Sequence, residues 1–467
     1  MEEQRSIAQQ LEFIQHGAHP LAVMSPCRVG DGILSLSEDQ KEQFRQLAHQ
    51  SAVAVTLFIP ASGSGSRMFE FLKEFIHYPN PENAQKAARF YSRLSEFALF
   101  RKLPQKFQKN YLDGKLQLEE LIDYLLGPEW LNFANTPKGL IPFHIQEPFI
   151  LNPFQEQLLQ AAQLSVAHCQ YHFTIQQEFE QDFKVAIDQI EALTSRTYEV
   201  TYSVQDPSTD AFVFKSDGQL FKDQNGRVVR RPAGHGTLLR NLDVLDAEYI
   251  LVKNIDNVQH FSQQTTSNIT WEVLLGLQMQ IRSDLKQFVK RNDFDGLCSW
   301  NERYALYDQQ WLTEQKHNAW QELLNRPLRV CGMVKNDGQP GGGPFFVSIN
   351  GQKSKQIVEK AQLTQLPKAS QLLLQSTHFN PVMMVLSPCD LDGKPHLLEN
   401  FVDHSTYFVV DKQQDGESVK FVEQPGLWNG AMAHWNTLFV EVPSIVFSPV
   451  KSVLDLLDLA HQANKGA

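Results

Sequence analysis

Val53 to Ile59 form an almost unbroken apolar run of β-branched, aliphatic and aromatic residues, which predicts a buried strand. Small residues follow in Ala61-Ser62-Gly63-Ser64-Gly65-Ser66-Arg67, and a helical pattern begins after them. Residues 70 to 130 place Phe and Leu at helical spacing, with breaks at Pro79-Asn80-Pro81 and Gly127-Pro128, and read as a helical insertion. Beyond it, helices around Phe154 to Ala167 and Gln176 to Leu193 alternate with strands at His172 to Ile175 and Tyr198 to Val204. Phe212 to Val229 reads as a polar hairpin with Asp217-Gly218 and Asn225-Gly226 as turn signals. Tyr249 to Val252 and Leu328 to Val334 read as further strands on either side of a second helical insertion at about 264–326. Apolar strands also follow near Phe345 and Thr437, and a closing helix is expected over Pro449 to Gln462. Strands alternating with helices predict an α/β fold, with a mixed, mostly parallel central sheet flanked by helices. Residues 1–50 read as a helical N-terminal extension, with an apolar face around Leu11 and Ile14 and a helix from Ser37 to Gln50 capped by Ser37 with Gln40. Residues 51–467 then form the α/β domain that carries both insertions.

Composition narrows the setting. The chain has 467 residues, 42% of them hydrophobic, enough for a sizeable core. Its formal charge of -11 comes without any Lys/Arg-rich run, so a nucleic-acid partner is not expected. Five cysteines lie far apart with no CxxC pair, which fits reduced thiols in a cytoplasmic protein. The first residues lack a signal-peptide pattern, and no apolar run reaches the roughly 20 residues of a membrane span, so no membrane partner is expected. The oligomeric state is not legible.

Candidate chemistry gathers at breaks between elements. The Ser62 to Arg67 turn suits a phosphate cradle, since small residues let the backbone approach a ligand and exposed amides attract anions; a plain strand-to-helix turn fits as well. Asp256, beyond a strand end, is a natural Mg²⁺ ligand or a turn cap. Asp403, following the strand-like Leu397 to Val402, would complete a carboxylate pair with it. A Zn²⁺ reading through His378 and His404 lacks ligand spacing. Gly341-Gly342-Gly343 precede an aromatic strand and either approach a ligand or form a flexible hairpin. Trp428 and Asn429 suit a sugar ring and its hydroxyls, or ordinary packing. Asn380 lies in a polar cluster between apolar strands.

Several of these segments together resemble a known family. Gly63-Ser64-Gly65-Ser66-Arg67 and Pro137-Lys138-Gly139-Leu140-Ile141-Pro142-Phe143 resemble the two halves of the sugar-phosphate nucleotidyltransferase signature, separated here by about 70 residues that could form a lid. Pro232-Ala233-Gly234-His235-Gly236-Thr237 and Lys253-Asn254-Ile255-Asp256-Asn257 resemble segments of UDP-sugar pyrophosphorylases, and Ile357-Val358-Glu359-Lys360 is similar to a sugar-contacting segment. The whole chain is similar to an uncharacterised bacterial domain-of-unknown-function family with a glycosyltransferase-A-like fold.

The resemblance implies a reaction of a nucleoside triphosphate with a sugar 1-phosphate, giving an NDP-sugar and pyrophosphate, with Mg²⁺. Ser62, Gly63, Ser64, Gly65 and Ser66 would hold nucleotide phosphates, with Arg67 and Lys138 as catalytic cations. Asp256 and Asp403 would hold the metal. Gln205, Gly234, His235, Gly236 and Thr237 would face the base, and Gly342, Gly343, Glu359, Asn380, Trp428 and Asn429 the sugar. A nucleotide- or sugar-nucleotide-binding protein without turnover is a second reading. A glycosyltransferase is a third, although the nearest Asp-x-Asp, Asp390-Leu391-Asp392, falls in a glycine-containing turn.

Overall fold

Ala54–Pro60, His168–Ile175 and Glu199–Val204 lie side by side as parallel strands, registered from Ala54 on His168 and from Gln170 on Glu199. The computed structural model describes residues 2–17, 21–51, 53–317, 320–336, 338, 341–349, 351–364, 366, 368–414 and 416–464. Gln339 and Pro340 of the glycine run lie outside the described residues. The mixed, mostly parallel α/β architecture that the alternation predicts is present, in two compact units. One comprises Met1–Gln50, Gln205–Leu251 and Val273–Pro443; the other comprises Ser51–Val204, Val252–Glu272 and Ser444–Ala467.

In the second of these, the edge strand Glu199–Val204 is partly exposed but Ala54–Pro60 is covered on both faces, and Val55, Phe58, Ile59, Phe173 and Ile175 are all buried. That follows from parallel pairing, because helical crossovers cover both faces of such a sheet. The crossover helix Pro153–Ala161 starts where Asn152 and Gln155 exchange bonds in a capping box with proline at the first helical position. The helix Glu180–Thr194 returns to the last strand.

The insertion is helical as expected, with Glu70–His77, Pro81–Ser92, Gln105–Leu112 and Leu118–Leu126. It is no loose flap. Phe71, Phe90, Phe97, Leu121 and Leu125 share one apolar core with Ile141, Phe143, Val258 and Val450–Leu457. The closing helix, in contrast, is replaced by 3-10 turns at Val453–Leu457 and Leu459–His461. Asp458 between them has extended backbone, and Val453, Leu454, Leu456 and Leu457 are all buried. Burial at consecutive positions is not a one-faced helical pattern. A polar cluster unforeseen from sequence also sits in this unit: His144 contacts Glu156 at 2.7 Å and His461 at 3.0 Å.

In the other unit, Arg28–Val29, Gly32–Leu34, Asn436–Glu441, Leu328–Lys335 and Met383–Ser387 are neighbours in that order, parallel except for the last pair. Residues 1–50 are therefore not a purely helical extension. Their helices Glu2–His16 and Glu38–Gln50 form, the latter with reciprocal Ser37–Gln40 caps, but Gly32–Leu34 pairs with Asn436–Glu441 and Val23–Pro26 pairs with Gly343–Ile349. The polar hairpin turns at Gly218 and Gly226, both at positive φ. The insertion at 264–326 is helical, beginning with the 27-residue Thr265–Arg291. Leu397 to Val402 is not a strand: Leu398–Phe401 is a 3-10 turn, and the Leu398 N–H is bound to Asp243 Oδ1 at 2.9 Å.

Phe90 is fully buried in the shared core. Phe90→Ala should therefore cost about 3–5 kcal/mol in urea unfolding; a loss below 1 kcal/mol would mean that the insertion packs independently of the core described.

Candidate functional site

The turn after Ala54–Pro60 is fixed by backbone pairing with the second half of the signature. The Gly65 N–H donates to Thr136 O and the Lys138 N–H to Gly63 O, both at 2.9 Å, bracketing a bridge between Ser64 and Pro137. The two halves thus meet despite the insertion. A Cβ on Gly65 would lie 2.1 Å from Ile141 Cδ1 and 3.0 Å from Phe133 O, so a larger residue would have to displace the Ile141 side chain. Gly63 faces open space instead. The main-chain N–H groups of Gly63, Ser64, Ser66 and Arg67 have no acceptor among the described residues. The Ser64 and Ser66 hydroxyls lie 3.1 Å apart, and the Gln176 amide holds Ser62 O from the end of the neighbouring strand. Free amides grouped at the carboxyl end of a parallel sheet, leading into a helical start, are the donors an anion needs. Arg67 is exposed beside it.

Pro137 hands the chain to a single 3-10 turn, Lys138–Leu140, that points Lys138 inward. Its Nζ lies 3.1 Å from Asp256 Oδ2 and 2.9 Å from Val450 O. Lys451 reaches the same Oδ2 at 2.8 Å. Burial pushes the Asp256 carboxyl up, but the two ammonium groups outweigh it and hold the group below its ordinary range. Burial lowers the Lys138 pKa; Asp256 opposes that, while Lys451 and Arg67 add to it. Asp256 Oδ1 has no partner among the described residues. A carboxylate with one oxygen clamped by two cations and the other open can take a phosphate-borne metal ion without a protein cage.

The other predicted metal ligand uses one carboxylate oxygen in its own turn. Asp403 caps a 3-10 turn, accepting from the Ser405 N–H at 3.0 Å and its hydroxyl at 2.6 Å. No group of three or more His, Cys, Asp or Glu among the described residues could hold a metal. His378 and His404 instead approach Glu441 and Glu399, at 3.6 and 3.4 Å. Asp390 Oδ1 accepts the Asp392 and Lys394 N–H groups, so the Asp-x-Asp approximation closes its own turn.

A second cluster lies wholly in the other unit. His235 stacks on Trp428 with centroids 4.3 Å apart, and its Nδ1 accepts the Leu427 N–H at 2.9 Å. Gly234 has φ +76, and a Cβ on Gly236 would fall 2.1 Å from Pro425 O, so both glycines are required by internal packing. The Thr237 hydroxyl bonds Gly234 O at 2.9 Å. His235 and Thr237 thus hold the turn. Asn429 Nδ2 reaches Glu359 Oε1 at 3.3 Å, and Glu359 also caps the helix Lys360–Leu363. Burial raises the Glu359 carboxyl, while Asn429 and Trp428 draw it back.

Gly342 packs against Ile357 and Glu359, and its carbonyl takes the Asn380 N–H at 2.8 Å. A Cβ on Gly343 would crowd the Phe345 ring at 2.9 Å. All six residues expected at the sugar thus fall in one neighbourhood. Within it, Asn429 Oδ1 and Asn380 Nδ2 are buried without partners, as is Gln205 Nε2 in the same unit. Unmet polar atoms of this kind are costly unless a ligand or water meets them.

Three contributors escaped the sequence reading. Lys451 fell within an expected closing helix, where no spacing ties it to Asp256. Gln176 resembles any helix-start glutamine. Arg329, second in the buried strand Leu328–Lys335, is fully buried and donates to Thr437 Oγ1 at 2.9 Å and Trp428 O at 2.7 Å, fixing the aromatic platform.

Burial holds His235 down to about 4, so it is neutral in the fold near pH 7, whereas an unfolded histidine gains a proton near 6.5. Its contribution is complete above pH 6.5 and lost as pH falls toward 4. Urea unfolding at pH 7 and pH 5 should show the wild type losing up to roughly 2 kcal/mol more than His235→Phe. Equal losses would mean that the ring is not kept neutral.

Among solved structures, the chain is similar to a protein assigned as a UDP-N-acetylglucosamine pyrophosphorylase from Entamoeba histolytica, at 12% identity and TM-score 0.43, covering 88% of this chain and 79% of that one. It is likewise similar to a single-substitution mutant of UDP-glucose pyrophosphorylase from Leishmania major, at 12% identity and TM-score 0.45, covering 97% of this chain and 74% of that one. No curated protein matches its sequence. A family profile matches residues 1–462, and the chain belongs to the family described as Domain of unknown function (DUF4301).

Proposed function

We propose that this protein is a nucleotidyltransferase that joins a nucleoside triphosphate to a sugar 1-phosphate, releasing pyrophosphate. The observation that carries the reading is the backbone pairing of Gly63 and Gly65 with Lys138 and Thr136, which reunites the split signature and brings Lys138 onto Asp256. Free thiols at all five cysteines and the absence of any membrane-crossing helix among the described residues are compatible with a cytoplasmic enzyme.

The reaction demands alignment and charge neutralisation more than covalent help. An oxygen of the sugar phosphate attacks the α-phosphorus, the new P–O bond forms, and the bond to pyrophosphate breaks with its electron pair leaving on that product. The Gly63, Ser64, Ser66 and Arg67 amides would bind the triphosphate, and the Arg67 guanidinium would take charge developing on the leaving group. Lys138 and Lys451, ion-paired to Asp256, would turn toward the phosphates. Asp256 Oδ1 would hold a magnesium ion carried by the nucleotide, which supplies charge neutralisation when bound. The Glu359, Asn380, Trp428 and Asn429 cluster is assigned to the sugar: Asn429 Oδ1 and Asn380 Nδ2 offer an acceptor and a donor to hydroxyl groups.

A specific observation favours a second reading, binding without turnover. Asp256 already has two ammonium partners, so its charge is met without a ligand-borne ion. Pyrophosphate release from a panel of nucleoside triphosphates with sugar 1-phosphates and Mg²⁺ separates the two. Release from the wild type, absent from Asp256→Ala, is expected; tight nucleotide binding with no release from the wild type would establish the second reading. Arg67→Ala and Lys138→Ala should each lower turnover by about two to three orders of magnitude, and unchanged rates would remove both from the catalytic set. Lys451→Ala should lower turnover by at least about tenfold; wild-type rates would confine that lysine to a structural ion pair.

A further inference from the structure

Three titratable side chains that the proposed reaction does not use are buried together in the unit that carries Asp256. Glu156, His144 and His461 are 0%, 1% and 4% exposed. His144 stands between the other two, with its Nδ1 2.7 Å from Glu156 Oε1 and its Nε2 3.0 Å from His461 Nδ1. The Ser448 main-chain carbonyl is a further partner of the His461 ring, accepting a hydrogen bond from it. At the other end of the row, Glu156 Oε2 takes the Gln264 amide at 3.0 Å.

The row admits few arrangements of protons. Each side-chain contact needs one hydrogen, and a neutral imidazole brings only one. With three protons in all, donation runs one way: the Glu156 carboxyl O–H to His144 Nδ1, His144 Nε2–H to His461 Nδ1, and the remaining His461 N–H to Ser448 O. Moving the first proton onto His144 keeps the same links. With one proton lost to solvent, His144 must donate to the carboxylate and His461 Nδ1–H to His144, so the direction reverses. The outer His461 nitrogen is then bare and faces a carbonyl, two acceptors with no hydrogen between them. Burial pushes the Glu156 carboxyl up to about 8, and holds His144 well below its ordinary value and His461 down to about 3. The three-proton arrangement is therefore the one present at pH 7.

The other titratable groups that act on these three are His260 and Lys253. His260 Nδ1 takes the Ser262 N–H at 3.2 Å and its Nε2 meets Ile145 O at 3.1 Å, so both nitrogens are occupied outside the row. The Lys253 ammonium is buried against Gln160, and its charge favours an ionised Glu156.

Ser448 and His461 bound the segment that completes the candidate site. Between them the Val450 N–H donates to Asp256 O at 3.0 Å, Val450 O takes Lys138 Nζ, and Lys451 Nζ reaches Asp256 Oδ2. Glu156 belongs to the helix Pro153–Ala161, so the row fastens both ends of this segment to a rigid element. We propose that Glu156, His144 and His461 are positioning residues: one proton held among them fixes the direction of their hydrogen bonds, and its loss frees the segment from Ser448 to His461 that holds Lys451 on Asp256. The effect on turnover rests on the proposed nucleotidyl transfer; the effect on the segment does not.

Hydrogen–deuterium exchange of the full chain tests this, read on peptides from the Ser448 to His461 segment and corrected for the intrinsic pH dependence of exchange. Between pH 6.5 and 9 the wild type should lose protection there by at least about tenfold, with a midpoint near 8. Glu156→Gln should stay protected throughout, because its amide donates to His144 at every pH as the protonated carboxyl does. Lys253→Met should move the midpoint upward without abolishing it, and His461→Phe should show no transition. Flat protection in the wild type, or an equal fall in the wild type and Glu156→Gln, overturns the proposal. Under the proposed reaction, Glu156→Gln should also carry pyrophosphate release to higher pH than the wild type. Release absent from every variant, with the exchange transition intact, would reject that reaction and leave the proton-held segment standing.

Discussion

Two amide-to-carbonyl bonds between Gly63–Gly65 and Thr136–Lys138 carry the architecture of the candidate site. They close an excursion of about 70 residues, whose loop-closure entropy alone is roughly 4 kcal/mol. A pair of net hydrogen bonds does not offset that. The excursion offsets it itself by burying Phe71, Phe90, Phe97, Leu121 and Leu125 against Ile141 and Phe143, which lie directly beyond the pairing. Closure and core formation are therefore one event. The position of Lys138 follows from it, since the residue stands at the pairing and begins the 3-10 turn that aims its side chain at Asp256.

What could be read in advance follows a simple division. Local patterns were legible: the apolar run before the turn, the capped helix after Ser37, the Asp-Gly and Asn-Gly turns, and the helical spacing of both insertions. The Ser62 to Arg67, Pro137-Lys138 and Asp256 segments were legible as motifs because each chemistry is carried by neighbours in sequence. Elements whose identity rests on distant partners were not. Gly32–Leu34 is only three residues and becomes a strand by pairing with Asn436–Glu441. Leu397 to Val402 looks apolar enough for a strand, but Asp243 draws the Leu398 N–H into a turn. Lys451 gains its meaning only from a contact with a residue 195 positions away.

The second cluster shows why glycine and aromatic motifs are ambiguous from sequence. Gly234, Gly236, Gly342 and Gly343 each leave too little room for a Cβ, yet the obstructing atoms belong to the protein itself. Glycine there marks close internal approach before it marks a ligand. Polar satisfaction is the better discriminator. Arg329 is buried but met by Thr437 and Trp428, which identifies it as scaffolding, whereas Asn429 Oδ1 and Asn380 Nδ2 lack partners.

The paired lysines on Asp256 set a condition on how the site can be filled. One carboxylate beside two ammonium groups is a locus of net positive charge, with Arg67 close enough to be felt at Lys138. A bare divalent cation is repelled from it, and the carboxylate is masked from the ions that bathe the protein. Under the proposed function a polyphosphate would be attracted and would give the lysines an alternative partner, so unmasking would be a consequence of its arrival. If the proposed reaction holds, metal would follow the nucleotide into the site, an order of loading set by the charge balance of three side chains.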